Sequence, residues 1–352
     1  MKKIISALFA ITAFCFLSPA FALQGETIVL DPATGNYLIT YLSSRDDKLH
    51  QITFIPATKI NPTIKNKLKL DHDGIVHYGY SLISGQDSQL VIVNFLLDPI
   101  SSVKTPMPDI PLNAPPGKIM GDMMNAAKYF DSPALWRPVL AYSNIKTAFR
   151  SGWYYNSDTG GLTPGDKAIF GLNSRDLPGI IQAKISGYAP DSQEIPGEET
   201  QDANDGGFGQ QYTQLVTKNN FVSRNAAVPT IALTDPFDAA VTLERIQTQM
   251  HSWIAMQLID ATFSSQLDRS FQSAISAYHL NQPRVGKQEI QTMRELINKE
   301  QPGLGRDEEH ESEKNHEKND DRKSALIDRL AARVLDFNLE YVMKRMSRDQ
   351  ND

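Results

Sequence analysis

The residues best suited by type and spacing to bind a metal ion are Asp71, His72, Asp73 and His77. Imidazole nitrogens and carboxylate oxygens are common zinc ligands, and carboxylates also bind calcium. The stretch continues into Gly74, and an Asp-Gly pair is a strong signal for a tight turn between two strands. Because the turn signal is complete and the ligand set is not, we predict a hairpin turn here and keep a metal site as the alternative.

Two other stretches are weaker candidates for metal binding. An EF-hand loop needs alternating oxygen ligands, a glycine at position six and a glutamate at position twelve. Counted from Asp202, Gly206 stands at position five and Thr213 at position twelve, so we interpret this stretch as linker. His310 and His316 lie in a charged run that we predict to be solvated. The sequence therefore predicts no bound cofactor and no metal.

Known catalytic patterns are incomplete in this chain. It has neither the Gly-x-Ser-x-Gly turn of serine hydrolases nor the His-Glu-x-x-His motif of zinc proteases. Ser101 with Lys104, and Ser143 with Lys146, match the Ser-x-x-Lys pattern of penicillin-binding enzymes, but its companion motifs are absent. The paired carboxylates of glycosidases need only meet in space, so a carbohydrate- or cell-wall-directed hydrolase remains the alternative to a non-enzymatic protein.

Aromatic residues offer a second kind of site. Trp136 and Tyr154 are candidates for stacking on a sugar ring, because aromatic side chains present broad apolar faces. Burial in the core is the alternative, since large aromatic side chains are mostly buried. In a strand, Trp153 and Tyr155 would share one face and Tyr154 the other, so at most one side of that strand is free to bind.

The first 22 residues have the pattern of a secretory signal peptide. Two lysines provide a positive start, an apolar run follows over 4–17, and Ala20-Phe21-Ala22 is a cleavage site of the A-x-A type. We therefore expect cleavage after Ala22 and a periplasmic or secreted protein. The only cysteine, Cys15, lies within this segment, so the mature chain is expected to form no disulfide and to depend on apolar burial.

Net charge narrows the range of partners. The chain carries a formal net charge of −6, which becomes −8 once Lys2 and Lys3 are removed with the signal peptide. An acidic chain has no general attraction for nucleic acid or for anionic membrane surfaces. No second apolar run approaches the ~20 residues of a membrane span. The expected partner is an envelope or extracellular protein or glycan, with no nucleic acid and no membrane span after cleavage.

The elements that must position these residues begin with strands. The N-terminal half alternates short runs of Ile, Val, Thr, Tyr and Phe with turn residues, and Tyr78, Tyr80 and Leu82 would share the buried face of one strand. Residues 99–138 are rich in proline and predict a long loop with one short helix over 121–130. Predicted strands cover 26–30, 37–42, 50–55, 75–83, 89–97, 152–156, 167–172 and 180–188.

The C-terminal half predicts helices. Thr234-Asp235-Pro236 is typical of a helix start, with a capping side chain and then proline in the first turn. Further helices are predicted over 263–278 and 287–299. A final helix carries a narrow apolar seam that predicts docking on another helix of the chain, with a second copy as the alternative. The seam consists of Ile327, Leu330, Val334, Phe337 and Tyr341.

Composition sets the predicted boundaries. The acidic, Pro- and Gly-rich residues 189–232 and the charged residues 303–323 bury too little apolar area to fold, so both are predicted as linkers. The prediction is a multidomain α+β protein in which a β-sandwich precedes a helical module. Its parts are a signal peptide (1–22), a β-sandwich domain (23–188), a linker (189–232), a helical module (233–302), a charged linker (303–323) and a C-terminal helix (324–348).

Two passages carry a resemblance to a known kind of module. They are Tyr78–Leu82 followed by Val91–Asp98, and Leu162–Lys167 followed by Phe170–Leu172 and Leu177–Ile180. Over residues 26–188 the chain resembles the fibronectin- and immunoglobulin-like β-sandwich modules of uncharacterised secreted bacterial proteins. Leu243–Glu300 resembles small helical modules appended to secreted proteins. The resemblance implies a β-sandwich fold and brings no activity with it.

The function that these observations favour is binding rather than catalysis. Predicted export, a modular organisation and the missing catalytic motifs together indicate an exported, non-enzymatic interaction protein. We expect it to bind a protein or a glycan at the cell envelope, and we keep the hydrolase as the alternative.

Overall fold

A computed structural model describes residues 25–100, 130–142, 149–156, 160–189, 195, 207–304 and 325–348. The predicted signal peptide, almost all of the predicted short helix over 121–130 and most of the charged linker lie outside this described part. Contacts between residues divide the chain into two compact units. The small unit consists of Met1–Pro56 with Ala189–Asn220, and the large unit of Ala57–Tyr188 with Phe221–Asp352.

The small unit is a three-stranded antiparallel sheet packed against one helix. Its strands pair in the order β1 (Thr27–Leu30), β2 (Tyr37–Ser43), β3 (Lys48–Phe54), and its helix is α1 (Phe208–Lys218). Side chains alternate along β2, so Ile39 and Tyr41 share the face that forms a buried cluster with Phe208 and Tyr212. The three strands predicted in this region are confirmed to within about two residues at each end.

The large unit contains two antiparallel sheets. Their strands are β4 (Pro62–Leu70), β5 (Val76–Ser84), β6 (Val91–Ile100), β7 (Trp136–Tyr142), β8 (Phe149–Tyr155), β9 (Lys167–Ser174), β10 (Leu177–Tyr188) and β11 (Val222–Ile231). Five strands pair in the order β11-β10-β6-β8-β7, and three pair in the order β4-β5-β9. The chain therefore crosses between the two sheets after β5, after β8 and after β9.

Aromatic side chains join these two sheets face to face. Tyr80 of β5 and Phe170 of β9 contact Phe95 of β6 and Trp153 of β8, with ring centroids 5.0 to 6.0 Å apart. Aromatic residues of this size dominate the energetics of a core because each buries a large apolar area. The face predicted from alternation in β5 is confirmed, since its residues are no more than 1% exposed: Tyr78, Tyr80 and Leu82.

One edge of the three-stranded sheet is joined to one edge of the five-stranded sheet by side chains. Asn66 Oδ1 accepts the N–H of Ala227 at 2.9 Å, and the Tyr80 hydroxyl donates to the carbonyl of Ala227 at 2.8 Å. Burial raises the pKa of Tyr80 well above its usual value, which keeps the hydroxyl protonated and able to donate. The first bond connects β4 to β11 and the second connects β5 to β11, although neither strand is paired with β11.

Four helices follow β11, and the first and the last of them pack against the five-stranded sheet. They are α2 (Ala239–Ala255), α3 (Ala261–His279), α4 (Pro283–Glu300) and α5 (Arg329–Arg348). The predicted start of α2 is wrong by a few residues. Asp238 caps the helix by accepting the N–H of Val241, whereas Thr234 Oγ1 accepts the N–H of Asp238 ahead of it. The apolar stripe of α2 is fully buried: Leu243, Ile246, Met250 and Trp253.

The last helix, α5, packs against α2, α4 and β10 within the same chain. The buried face of α5 is broader than the predicted seam, because Ala331, Leu335 and Leu339 are also fully buried. Phe337, which belongs to the predicted seam, is only partly buried. The broad burial arises because α5 has packing partners on several sides. Asn338, which is fully buried, joins the helix to the sheet by donating through Nδ2 to the carbonyl of Pro178 at 2.8 Å.

Several elements are absent from the sequence-based prediction. The segment 189–232, which was predicted as a linker, contains α1 and β11. The strands β4 and β7 were not predicted either. β7 and β11 pair with β8 and β10, whose ladders supply hydrogen bonds that composition does not reveal. Both sheets and the four C-terminal helices share one buried core. Residue contacts therefore place the predicted helical module in the same compact unit as most of the predicted sandwich domain.

The described residues form a mixed α/β protein with three antiparallel sheets and five helices. The N-terminal part is mostly β-structure, and the C-terminal part is helical. Across the described residues, no helix combines the length and the apolar character needed to span a membrane.

Close packing between β10, β11 and α2 leaves no room for a side chain at Gly179. A Cβ atom there would lie 2.1 Å from Thr230 Oγ1 and 2.8 Å from Cδ of Gln249. We expect Gly179→Ala to lower the free energy of unfolding by about 1–3 kcal/mol, because neighbouring atoms must shift. Gly79→Ala in β5 is the matched control, since its Cβ would meet nothing nearer than 3.5 Å. Chemical denaturation that gave equal stabilities for the two variants would contradict this packing.

An ion-pair network joins α4 to α5. Arg294 donates to both carboxylate oxygens of Asp336, at 2.6 and 3.1 Å, and to Glu340 at 3.0 Å. Burial by itself raises the pKa of Glu340, but the contacts with Lys344 and Arg294 outweigh it and hold that pKa below its usual value. A carboxyl group with a lower pKa in the folded state stabilises the protein above its unfolded pKa, and this stabilisation is lost as the pH falls.

We therefore expect the melting temperature to fall more steeply for the wild type than for Glu340→Gln as the pH drops through the usual glutamate pKa of 4.5. The amide of the variant does not titrate, so it lacks this part of the acid response. Glu295→Gln, at an exposed position on α4, is the control and is expected to follow the wild type. Parallel acid curves for the wild type and Glu340→Gln would rule out a contribution from this group.

Candidate functional site

The acidic and histidine cluster predicted from the sequence forms the turn between β4 and β5. Asp71 Oδ1 accepts the N–H of Asp73 at 2.9 Å and of Ile75 at 2.8 Å, which closes the turn. Desolvation raises the pKa of Asp71, but these bonds and the contact with His77 outweigh it, so the pKa lies below its usual value. The predicted hairpin is therefore present in the structure.

The imidazoles of this cluster point to different surroundings. His77 is held between Asp71 Oδ2, at 3.1 Å from its Nε2, and Asn173 Oδ1, at 2.6 Å from its Nδ1. The side chain of His72 is 89% exposed and lies 3.2 Å from Asp73. In the part of the chain that the structure describes, no group of three or more His, Cys, Asp and Glu residues is arranged to hold a metal ion.

The two aromatic candidates are placed differently. Trp136 is only 7% exposed, and its ring packs edge-on against Tyr155 at 5.7 Å and Phe170 at 4.9 Å. Its faces are therefore part of the core and not available to a sugar. Tyr154, on the opposite face of β8 from the buried Trp153, is 38% exposed and keeps a free surface. The two candidates do not form a joint platform.

A groove opens where β4, β11 and the start of α5 meet. The sequence did not predict it. It encloses a cavity of about 480 Å³. We call it the basic groove, because the described residues that line it include four cationic side chains and one carboxylate. Its lining consists of Thr63, Ile64, Lys65, Asn66, Arg224, Asn225, Asp328, Arg329, Leu330 and Arg333.

Asn66 is the buried polar residue of the groove wall. It is only 8% exposed, and its Oδ1 is engaged by the N–H of Ala227. Its Nδ2 has no acceptor among the described residues, so both N–H bonds of the amide remain for a group in the cavity.

Arg224 of β11 is fixed in orientation by neutral acceptors. Its Nε donates to the carbonyl of Pro62 at 2.7 Å, its Nη1 to the carbonyl of Ser223 at 2.9 Å, and its Nη2 to Asn61 Oδ1 at 3.4 Å. No carboxylate among the described residues forms an ion pair with it. The guanidinium charge is therefore held at the groove without being neutralised by an anionic partner.

The helical side of the groove is the first turn of α5. Asp328 caps this helix, because its Oδ1 accepts the N–H of Leu330 at 2.8 Å and lies 3.4 Å from the nitrogen of Ala331. The carboxylate of Asp328 is thus engaged by backbone donors. Arg329 and Arg333 follow at a spacing of four residues, which places their side chains next to each other on the helix surface.

The chemistry of this wall suits an anion. Lys65, Arg224, Arg329 and Arg333 together with Asp328 give the lining a formal charge of +3, whereas the whole chain carries −6. Ammonium and guanidinium groups bind phosphate, sulfate and carboxylate by charge-assisted hydrogen bonds. The cations come from three segments that are far apart in the sequence. The spacing of Arg329 and Arg333 was therefore the one feature of the sequence that could have pointed to this groove.

Comparison with known proteins adds no assignment: no protein-family model, no curated protein and no solved structure matches this chain at a significant level.

The buried position of Trp136 and the exposed position of Tyr154 predict different effects on stability. Trp136→Ala is expected to lower the free energy of unfolding by about 3–5 kcal/mol, because it removes a core aromatic and leaves a cavity. Tyr154→Ala is the matched surface change and is expected to cost about 1 kcal/mol or less. Chemical denaturation measures both, and a Trp136→Ala variant as stable as Tyr154→Ala would contradict the burial of this ring.

Proposed function

We propose that this protein is an exported, non-enzymatic binding protein whose basic groove takes an anionic group of a glycan at the cell envelope. The observation that carries the proposal is the composition of the groove wall. Arg224 is held by neutral acceptors, has no carboxylate partner among the described residues, and lines the cavity beside Lys65 and the amide of Asn66. Such a wall offers donors and positive charge, which phosphate, sulfate and carboxylate groups need.

The size of the groove favours a glycan over a protein partner. A volume of about 480 Å³ lies within the range of ~300–1,000 Å³ that is typical of small-ligand sites. Stable protein interfaces bury about 1,600 Å² in total and use broad surfaces instead. The groove therefore suits one or a few sugar units that carry a charged group.

The overall charge of the chain argues against a long polyanion. The formal net charge of −6 repels an extended nucleic acid at long range. At physiological salt, however, charges interact mainly within a Debye length of about 8 Å. A single anionic group that enters the groove therefore meets chiefly the local cations.

The groove wall also favours binding over hydrolysis. A glycosidase needs two carboxyl groups that flank the scissile bond. Asp328 is the one carboxylate of the lining, and its Oδ1 is engaged by the N–H of Leu330. Among the described residues, the wall offers no second carboxylate of the kind that such a hydrolase would use.

Export and an immunoglobulin- or fibronectin-like sandwich are part of the same proposal. Export is supported by the basic, apolar and small-residue pattern of residues 1–22. The sandwich classification is supported by two antiparallel sheets whose aromatic side chains meet face to face. Both fit a ligand found outside the cytoplasm.

The test is calorimetric titration of the full chain with trigalacturonate, an anionic saccharide, and with maltotriose as the neutral counterpart. We expect binding of trigalacturonate only, with an affinity that falls as salt is added. Arg224→Gln is expected to weaken binding about tenfold or more, since hydrogen bonds to charged groups contribute about 1.5–3 kcal/mol.

The matched control is Lys48→Gln, which removes one positive charge at an exposed position of the small unit. It is expected to leave the affinity for trigalacturonate unchanged. The proposal fails if maltotriose binds as well as trigalacturonate, if neither binds, or if Arg224→Gln and Lys48→Gln have the same effect.

A further inference from the structure

The basic groove lies between two open sheet edges. β4 is an edge strand of the three-stranded sheet, β11 is an edge strand of the five-stranded sheet, and the two strands are not paired with each other. Both line the groove, β4 through residues 63–66 and β11 through Arg224 and Asn225. An unpaired strand edge presents backbone N–H and C=O groups that a neighbouring strand would otherwise satisfy. The groove is therefore bounded by backbone donors and acceptors as well as by side chains.

The hydrogen bonds of Ala227 reveal which residues of β11 are turned toward β4. Its N–H and its carbonyl bond to side chains of the three-stranded sheet, so both groups are turned away from β10. In a regular antiparallel ladder this orientation repeats at every second residue, and the register with β10 is regular over 222–229. Asn225 therefore also turns its N–H and C=O away from β10. Pro229 lies at the same kind of position, where a missing N–H costs no ladder bond.

The same argument identifies the open backbone groups of β4. The carbonyl of Pro62 accepts the Nε–H of Arg224, which belongs to β11, so this carbonyl is turned away from β5. The pairing of β4 with β5 is regular, and alternation turns the N–H and C=O of Ile64 toward the same side. Ile64 and Asn225 both line the groove. Each contributes one backbone donor and one backbone acceptor that no strand pairing satisfies.

Side chains next to these backbone groups provide a seat for one anionic group. The guanidinium of Arg224 has five N–H donors, and neutral acceptors engage three of them, so two remain. Asn66, which is more than nine-tenths buried, adds the N–H bonds of Nδ2. Arg224 supplies one positive charge in a fixed orientation, which one carboxylate balances. A phosphate monoester carries about −1.5 to −2 and would exceed it.

We propose that the groove recognises a uronic acid by binding its carboxylate and its sugar ring together. The carboxylate accepts from Arg224 and from Nδ2 of Asn66, and ring hydroxyls bond to the backbone groups of Ile64 and Asn225. A hydroxyl both donates and accepts, so it suits strand edges that present N–H and C=O groups. This inference rests on the proposed function and narrows its ligand from an anionic glycan to one that contains uronic acid.

The test separates the carboxylates from the sugar that carries them. Trigalacturonate is compared with tricarballylate, which has three carboxylates on a carbon chain without hydroxyls, by calorimetric titration of the full chain. Trigalacturonate is expected to bind about tenfold or more tightly, because hydroxyl contacts at the strand edges add to the carboxylate contacts. In a second comparison, glucuronate is expected to bind more tightly than glucose 6-phosphate.

A substitution in β11 tests the backbone contact directly. Asn225→Pro removes the N–H that is turned toward the groove, and the ladder to β10 loses no bond by it. Asn225→Ala is the matched reference, since it removes the same side chain and keeps the N–H. We expect Asn225→Pro to bind trigalacturonate about threefold to tenfold more weakly than Asn225→Ala, whereas the two bind tricarballylate equally. Melting curves report whether both variants are folded, and if Asn225→Pro is not, the two ligand comparisons decide.

The outcomes separate this inference from the proposed function. Equally tight binding of trigalacturonate and tricarballylate by the wild type would overturn the inference and leave a groove that binds carboxylates on any carrier. Equal affinities of folded Asn225→Pro and Asn225→Ala for trigalacturonate would overturn it as well, and so would tighter binding of glucose 6-phosphate than of glucuronate. If trigalacturonate does not bind the wild type at all, the proposed function itself is wrong.

Discussion

The backbone of Ala227 is the point on which the large unit depends. Its N–H is accepted by Asn66 and its carbonyl receives the hydroxyl of Tyr80, so two side chains of one sheet satisfy both polar groups of a buried residue in the other. Losing either bond would leave a buried polar group unsatisfied, at a cost of about 1–3 kcal/mol. The same bonds bring β4 beside β11, place Tyr80 in the aromatic layer and put Asn66 on the wall of the basic groove.

The groove follows from this junction and from the docking of α5. β4 and β11 contribute Lys65, Asn66 and Arg224 to its lining, and the first turn of α5, capped by Asp328, contributes the opposite side. Arg224 keeps its charge at this groove without an ion-pair partner among the described residues, on a chain whose net charge is −6, and this contrast is the physical basis of the proposed anion binding.

Local patterns predicted the elements whose side chains are buried on one regular face. Alternation identified the buried face of β5 through Tyr78, Tyr80 and Leu82. Prediction failed where partners distant in sequence decide the outcome. β11 lies in a segment whose composition resembles linker, yet its ladder to β10 orders it. Trp136 was a candidate for sugar binding, but Phe170 and Tyr155 cover it.

The sequence by itself determined the broad division into a β-rich part and a helical part, the turn at Asp71, and most strand and helix positions, because these depend on local periodicity and on capping or turn residues. Only the tertiary structure decided that the helices share one core with the sheets and that Lys65, Arg224 and Arg333 line one cavity. Residues so far apart in the chain meet through the packing of apolar surfaces. Because this packing is non-directional, it produces no regular spacing in the sequence from which the contacts could be predicted.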